Sequence, residues 1–237
     1  MKLTEALEYH DKLNPLIWDE NNQLRPEVDV AVRKIVNFFI EQQEVLIPVL
    51  DIYILGSNAS YNYSDTSDLD VHIITNYEGL DCNEQLLQLL FNALKTAFNQ
   101  NYDFTIHGIN VELYVQDVNS VTISNGIYSM FESRWIKFPE RAENPKTEIV
   151  DTDRFEQYKA EVIDALSQAD TSDELENMID RLYLLRQQSL ATEGEFGDGN
   201  LIFKEIRSLG MLDQLKDRKK ELISKELTLE NLKENKK

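Results

Sequence analysis

The feature of this sequence that most limits its fold is residues 54–74, ILGSNASYNYSDTSDLDVHII. An apolar run at residues 49–55, rich in the branched and aromatic residues that favour a β-strand, ends at Gly56-Ser57. A polar segment follows, and Asp68-Leu69-Asp70 then opens a second apolar run, VHII. The pattern predicts two strands joined by a turn, with two acids where the second strand begins.

The two acids are spaced so that they share one face of the second strand. Side chains at positions i and i+2 of a strand point the same way, which places Asp68 and Asp70 about 6–7 Å apart. Two carboxylates on one face of a buried strand are costly unless a cation lies between them. The spacing therefore predicts a metal site, and the alternative is an edge strand whose acids are solvated.

A third acid lies within a later apolar strand. In residues 103–117 apolar and polar residues alternate, and Glu112 is an acid opposite an apolar face. We expect a turn or bulge at residues 108–110 of this segment. Gly56 would let the backbone approach a phosphate closely, and Ser57 would add a hydroxyl and exposed N–H groups. The sequence contains no GxxxxGK[ST] motif, which argues against a P-loop nucleotidase.

These residues together resemble a known family. Gly56-Ser57, ten further residues, Asp68-x-Asp70 and a later acid within a strand are similar to the nucleotidyltransferase domain of the DNA polymerase β-like superfamily. The sequence segments YNYSDTSDLDVHI and VELYVQD are similar to those of predicted nucleotidyltransferases carried by bacteriophages. The sequence departs from the family pattern twice. Its third acid is Glu112 where many relatives have Asp, and the turn after Gly56-Ser57 is aromatic where many have glycine or a basic residue.

The resemblance implies a reaction and a cofactor. The reaction is transfer of a nucleoside monophosphate from an NTP such as ATP to a hydroxyl acceptor, with release of pyrophosphate. Two Mg²⁺ ions, or Mn²⁺ in their place, would be held by carboxylates and substrate phosphates. Asp68 and Asp70 would bridge both ions, and Glu112 would bind the ion that activates the hydroxyl and accept its proton.

The resemblance also implies how the nucleotide is held. Gly56 and Ser57 would bind the triphosphate, and Lys204 and Arg186 would contribute cations from the C-terminal helices. Five further candidates have ordinary structural roles as alternatives. His72 shares the face of Asp70 but is as readily a supporting residue, and tyrosines 61 and 63 could stack on a base or pack in the turn. Arginines 181 and 207 fit a solvated helix face equally well.

The sequence leaves the acceptor open. A small molecule, a protein side chain, a tRNA end and a second nucleotide all remain candidates. The net charge of −19, which is concentrated before Leu201, argues against broad nucleic-acid binding because an acidic surface repels a phosphate backbone. A catalytically inactive acidic protein of the same fold, which binds a nucleotide or a protein, is the alternative function.

Composition and hydropathy limit the surroundings of the chain. Cys82 is the only cysteine, so neither a disulfide framework nor a cysteine zinc site is available. No apolar run approaches about 18 residues, and the start lacks the apolar core of a signal peptide. We therefore expect no membrane partner and a cytoplasmic protein, located in the host bacterial cytoplasm if a phage encodes it.

The order of the predicted elements indicates an α/β (α+β) fold with two lobes. Residues 1–138 form a nucleotidyltransferase lobe with a short mixed sheet, 139–152 a linker with two prolines, and 153–237 an all-helical lobe. In the first lobe we expect helices at 26–43 and 81–100, and a hairpin of IYSMF and RWIKF. The apolar stripe of the second helix is predicted from Leu86, Leu90, Ala93, Leu94 and Ala97.

Two capping signals are predicted in the helical lobe. Thr171 and Glu174 form a capping box at the start of one helix, because the threonine hydroxyl and the glutamate can each bond an orphan N–H group. Gly210 ends another helix at the left-handed position that glycine favours.

Overall fold

A computed structural model describes residues 9–43, 47–80, 82–122, 124–143, 149 and 151–228. The described chain divides into two compact units, an N-terminal one up to residue 143 and a C-terminal one from residue 149. The predicted linker at 139–152 spans this division, and several of its residues lie outside the described ranges. The predicted fold class is confirmed, because a mixed sheet with helices precedes an all-helical region.

The N-terminal unit is built on one mixed sheet. Its elements are α1 (Pro26–Glu41), β1 (Asp51–Leu55), β2 (Leu69–Thr75), α2 (Glu84–Asn101), β3 (Thr105–Ile106), β4 (Ile109–Asp117), β5 (Ile127–Ser129) and β6 (Arg134–Lys137). The strands lie in the order β3-β4-β2-β1-β5-β6. β2 and β4 are parallel, with α2 in the crossover between them, and the other pairs are antiparallel.

The position of β2 bears on one of the two interpretations of its acids. It lies inside the sheet, bonded to β1 on one side and to β4 on the other. β2 is therefore not the edge strand that the alternative interpretation requires, and the metal site stays a prediction. The apolar side chains of β2, namely Leu69, Val71 and Ile73, are completely buried, which leaves Asp68, Asp70 and His72 on the opposite face.

The apolar face of the sheet is covered by α1 and α2. Proline at the first position and acids in the first turn start α1, and its apolar residues at helical spacing are buried. The strands contribute Ile52, Ile54, Leu113 and Val115, and the helices contribute Val28, Val32, Ile35, Val36, Phe39, Leu87, Phe91 and Phe98. At about 1.5–3 kcal/mol for each large apolar side chain buried, this cluster is the main source of the unit's stability.

The predicted stripe of α2 is wrong by one position at Leu86, Leu90 and Ala97, whereas its predicted member Leu94 does pack against the core. Leu86 is 56% exposed, whereas Leu87, Phe91 and Phe98 are buried. The helix begins at Glu84, and the side chain of Asn83 accepts a hydrogen bond from the N–H of Leu86 at 3.2 Å. Both stripes have helical spacing, but the observed one buries two phenylalanine rings, which remove more apolar surface from water.

Two predicted turns have different boundaries in the structure. The β3–β4 turn consists of His107 and Gly108, both with positive φ, rather than of residues 108–110. Positive φ at both central residues is the geometry that matches the twist of a two-residue hairpin. The β5–β6 hairpin has a longer connection than the two residues expected, because β5 ends at Ser129 and β6 begins at Arg134.

The C-terminal unit is helical. It contains α3 (Thr152–Gln168), α4 (Ser172–Thr192), α5 (Asp198–Ser208) and α6 (Met211–Leu227) around a separate apolar cluster. Gly210 has a φ of 68°, as its predicted capping role requires. The predicted capping box is wrong: Thr171 precedes α4 without a side-chain cap bond, and Glu174 accepts from the N–H of Asp170. Within the described ranges, every helix is too short or too polar to cross a membrane.

Candidate functional site

The polar face of the sheet brings the predicted acids together. Asp70 and Glu112 are direct register partners in the parallel β2–β4 pair. Side chains of register partners project from the same face of a sheet, and Asp68 joins them because it is two residues before Asp70. All three carboxylates are partly exposed. The candidate site therefore lies where β2 begins, on the face opposite the apolar core.

Gly56 forms a wall of this site. Leu55, the last residue of β1, is the register partner of Asp70, so the chain turns at Gly56 directly beside that acid. A Cβ atom at position 56 would lie 1.9 Å from Asp70 Oδ2, and the φ of Gly56 is 77°. Only glycine fits this approach and this backbone conformation.

Ser57 opens a single 3-10 turn after Gly56. The turn spans Ser57–Ala59, and the N–H of Ser60 bonds the Ser57 carbonyl at 3.0 Å. The N–H of Gly56 donates to the hydroxyl of Ser124 at 3.3 Å. Ser57 is partly exposed and follows Gly56, which approaches Asp70 closely. The predicted contact with a phosphate requires such exposure.

Tyr114 holds the third acid. Its hydroxyl donates to Glu112 Oε2 at 2.5 Å, on the same face of β4. Burial raises the pKa of Tyr114, and the bond to Glu112 and the charges of Asp70 and Asp68 raise it further. The tyrosine therefore stays protonated and acts as a hydrogen-bond donor to one oxygen of the carboxylate. It also lies within electrostatic range of all three acids.

Lys95 places a cation beside the carboxylates. Asn99, four residues further along α2, bonds both the N–H and the carbonyl of Leu113 at 3.4 Å, so α2 runs beside the outer edge of β4. From there Lys95 reaches over Tyr114, with its Nζ 3.5 Å from the ring centroid. Burial lowers the pKa of Lys95, while the carboxylates of β2 and β4 act in the opposite direction.

His72 lies on the same sheet face as Asp70, two residues further along β2, and supports the site from there. Its ring stacks on Tyr114, with centroids 4.6 Å apart and planes at 20°. Its Nδ1 lies 2.6 Å from Gln116 Oε1, and the amide nitrogen of Gln116 donates to Thr122 Oγ1 at 2.6 Å. Burial lowers the pKa of His72, which favours the neutral ring. These contacts fit the supporting role rather than a catalytic one.

The donor chemistry of the site fits magnesium, although the side chains are not arranged as a formed metal centre. Carboxylate oxygens on one partly exposed face are the ligands that Mg²⁺ and Mn²⁺ prefer. Within the described residues, however, no three His, Cys, Asp or Glu side chains stand close enough to hold an ion as they are. One oxygen of Glu112 is occupied by the Tyr114 hydroxyl. Binding an ion would require side-chain rotation at the site.

The remaining candidate residues either belong to the C-terminal unit or are packed against other side chains of the N-terminal unit. Arg186 on α4 and Lys204 on α5 belong to the C-terminal unit, where Arg186 lies 5.0 Å from the ring centroid of Phe203. Burial lowers the pKa of Lys204. In the N-terminal unit Tyr61 is only 7% exposed, which removes it from base stacking, and Tyr63 stacks on a histidine ring 3.8 Å away.

Sequence reasoning missed the residues that support the acids. Tyr114 was detectable in principle, because it follows Glu112 by two positions and so shares its strand face. Lys95 carried no such signal, because its contact depends on α2 running beside β4. Asn14 and Asn58 are also buried near the site, and their role depends on a contact across 44 residues of sequence.

Comparisons with protein-family models, with curated proteins and with solved structures found no match for this chain. The resemblance to the polymerase β-like superfamily therefore rests on the motif residues of the sequence alone.

Proposed function

We propose that this chain is a magnesium-dependent nucleotidyltransferase that transfers a nucleoside monophosphate from an NTP to a hydroxyl acceptor and releases pyrophosphate. One observation carries the proposal. Asp68, Asp70 and Glu112 share a sheet face, and Asp70 touches a glycine that tolerates no side chain. Carboxylates on one sheet face beside a close backbone approach suit a site where metal and phosphate meet.

The chain's own residues supply positioning and proton transfer. Asp68 and Asp70 would hold the ions, and Glu112 would complete the set and accept the proton of the attacking hydroxyl. Gly56 and Ser57 would receive the triphosphate. When bound, the ions would neutralise charge on the attacking and leaving oxygens of an in-line displacement. The hydroxyl oxygen bonds to the α-phosphorus as the bond to pyrophosphate breaks.

The acceptor class is narrowed by charge alone. A net charge of −19 disfavours a long nucleic acid as acceptor. A small molecule, a protein side chain, a tRNA end or a second nucleotide fits the same chemistry. Mn²⁺ could replace Mg²⁺, because both ions accept oxygen ligands.

A second candidate is an inactive protein of the same fold that binds a nucleotide or a protein. The observation that favours it is the absence, within the described ranges, of three acids gathered around one point. In such a protein the acids would remain without an ion, and no pyrophosphate would form.

Pyrophosphate release separates the two functions. The protein is incubated with each α-labelled NTP and Mg²⁺, with a cell extract as source of acceptor, and pyrophosphate and labelled products are measured. We expect release that EDTA stops and that Asp70→Asn abolishes. Asp65→Asn is the matched control, because Asp65 is an exposed acid in the loop that leads into β2. Nucleotide binding without release would favour the inactive protein, and equal release by Asp70→Asn would overturn the proposed site.

A further inference from the structure

Asn58 lies at the centre of a buried hydrogen-bond network behind the candidate site. It sits in the 3-10 turn that follows Gly56, and its side chain is completely buried. Its Nδ2 donates to the carbonyl of Asp68 at 2.9 Å and to that of Ser67 at 3.2 Å. Both hydrogens of the amide are thus used, and both partners lie at the point where the chain enters β2.

The network continues into the N-terminal segment. Asn14 Nδ2 donates to Asn58 Oδ1 at 2.7 Å, and Trp18 Nε1 donates to the Asn58 carbonyl at 2.7 Å. Asn14 is itself held, because its Oδ1 accepts from the N–H of Leu16 at 3.0 Å. Asn14 and Trp18 are 5% and 1% exposed. The segment before α1 therefore holds Asn58 in one orientation.

Few other side chains could make these contacts. An aspartate at position 58 would direct a carboxylate at two carbonyl oxygens, and an alanine would leave the Asn14 amide and two carbonyls without these partners. A buried polar group without a hydrogen-bond partner lowers folding stability by about 1–3 kcal/mol. The network therefore stabilises the fold only when all of its members are paired. Ten residues between Ser57 and Asp68 connect the turn to β2. The bonds of Asn58 link the start of this connection directly to its end.

We propose that Asn58, supported by Asn14, is a positioning residue that fixes the backbone of Asp68 against the Gly56-Ser57 turn. The inference rests on the proposed function, because it assigns Asn58 the task of setting the distance between the first carboxylate and the phosphate-binding turn. Residues that orient metal-binding carboxylates from behind typically change metal affinity when they are replaced.

The experiment measures binding of Mn²⁺ alone, by electron paramagnetic resonance, at a temperature well below the melting point of every variant. The site counted is the one that Asp70→Asn removes, which separates it from ions on the acidic surface. We expect Asn58→Ala to weaken binding at this site by about tenfold or more. Asn14→Ala should weaken it less, because it removes only the support of Asn58.

The matched control is Val32→Ala, a truncation at a completely buried position of α1 in the same apolar cluster. It should lower the melting temperature and leave Mn²⁺ affinity unchanged. If Asn58→Ala lowers the melting temperature but binds Mn²⁺ as the wild type does, Asn58 is merely structural and the inference is wrong. If Asn58→Ala does not fold, unchanged affinity in Asn14→Ala has the same meaning. If the wild type has no site that Asp70→Asn removes, the proposed function fails first.

Discussion

Gly56 and Asp70 occupy adjoining space that leaves no room for a methyl group, and this makes a sharp test at the scale of one residue. In Gly56→Ala the new Cβ would lie 1.9 Å from Asp70 Oδ2, at a φ of 77° that alanine disfavours. Strain at such a position costs on the order of 1–3 kcal/mol, so we expect denaturant melts to show a loss of that size. Transfer activity should also fall, because Asp70 must move.

Gly79→Ala is the control for this substitution. Its Cβ would meet only the side chain of Asn76, at 3.9 Å, and its φ lies outside the left-handed region. We expect little change in stability or activity. A Gly56→Ala protein as stable and active as Gly79→Ala would contradict the close packing of Gly56 on Asp70.

Tyr114 offers a second test, which removes a single oxygen atom. Tyr114→Phe deletes the donor that holds Glu112 Oε2 and keeps the ring on which His72 and Lys95 pack. We expect Mn²⁺ affinity to fall by about tenfold, as for other residues that orient a metal-binding carboxylate. Direct Mn²⁺ titration measures this without catalysis.

Tyr53→Phe removes the same atom from the same sheet face. Tyr53 is the register partner of His72 on β1, and its hydroxyl has no hydrogen-bond partner within the described residues. We expect unchanged Mn²⁺ affinity for this variant. Equal losses in the two variants would mean that the effect of Tyr114→Phe does not pass through Glu112.

At the scale of secondary-structure elements, the strands were easier to predict than the face of α2. Alternation along β2 and β4 has only two possible phases, and the apolar residues select one of them. A helix has many possible faces, and α2 is leucine-rich at positions 86, 87, 89 and 90. Packing against the sheet selected the face with two phenylalanines, and that choice depends on the partner surface rather than on the helix sequence.

The segment before α1 shows a different limit of sequence analysis. The sequence of its described part, residues 9–25, is mostly polar, yet Leu13, Ile17 and Trp18 are buried and Asn14 bonds the turn after β1. No sequence periodicity predicts these contacts, because residues 9–25 form no helix or strand that sets a repeat. The acids of the site could be predicted from local spacing, whereas the residues that support them required the tertiary fold.

Lys204 on α5 allows a prediction about charge in a helix. Burial lowers its pKa, so the folded state disfavours the ammonium form. Between the lowered folded pKa and the ordinary value of 10.5 the unfolded chain binds more protons, and stability therefore rises with pH in that window. Lys204→Met should be more stable than the wild type at neutral pH and should lack this rise. Thermal melts from neutral to alkaline pH measure both effects.

Lys220→Met is the matched control, because the Lys220 side chain on α6 is 75% exposed. It should follow the pH dependence of the wild type. The sequence-based expectation that Lys204 binds the nucleotide predicts that Lys204→Met binds NTP more weakly despite its greater stability, the usual cost of a strained functional group. A stabilised variant with unchanged NTP affinity would contradict that expectation.

At the scale of the whole molecule, the order of elements was predictable and the details of their ends were not. The sheet unit followed by a helical unit is visible in the sequence because runs of strand pattern and helix pattern are segregated along the chain. The hairpin lengths and the α4 cap depend on single contacts. Glu174, for example, bonds the N–H of Asp170 rather than that of Thr171.

The stability of the whole protein should depend on metal in a way that Asp70 controls. Without an ion, Asp70 and its register partner Glu112 are like charges on one face, and Lys95 lies within electrostatic range of both. Relief of such repulsion at a functional site stabilises by about 1 kcal/mol, so with EDTA we expect Asp70→Asn to melt at or above the wild-type temperature. Asp65→Asn, at an exposed position of the loop that leads into β2, should melt as the wild type does.

Magnesium and NTP should reverse the order of these melting temperatures. A ligand that binds only the folded state raises stability by an amount that grows with its concentration relative to its Kd. The wild type and Asp65→Asn should therefore gain stability with Mg²⁺ and NTP together, and little when EDTA replaces Mg²⁺. Asp70→Asn should gain little in either condition, because it lacks one bridging carboxylate. A clear loss of stability in Asp70→Asn under EDTA would instead identify Asp70 as a structural acid, and an equal NTP shift without metal would contradict the metal site.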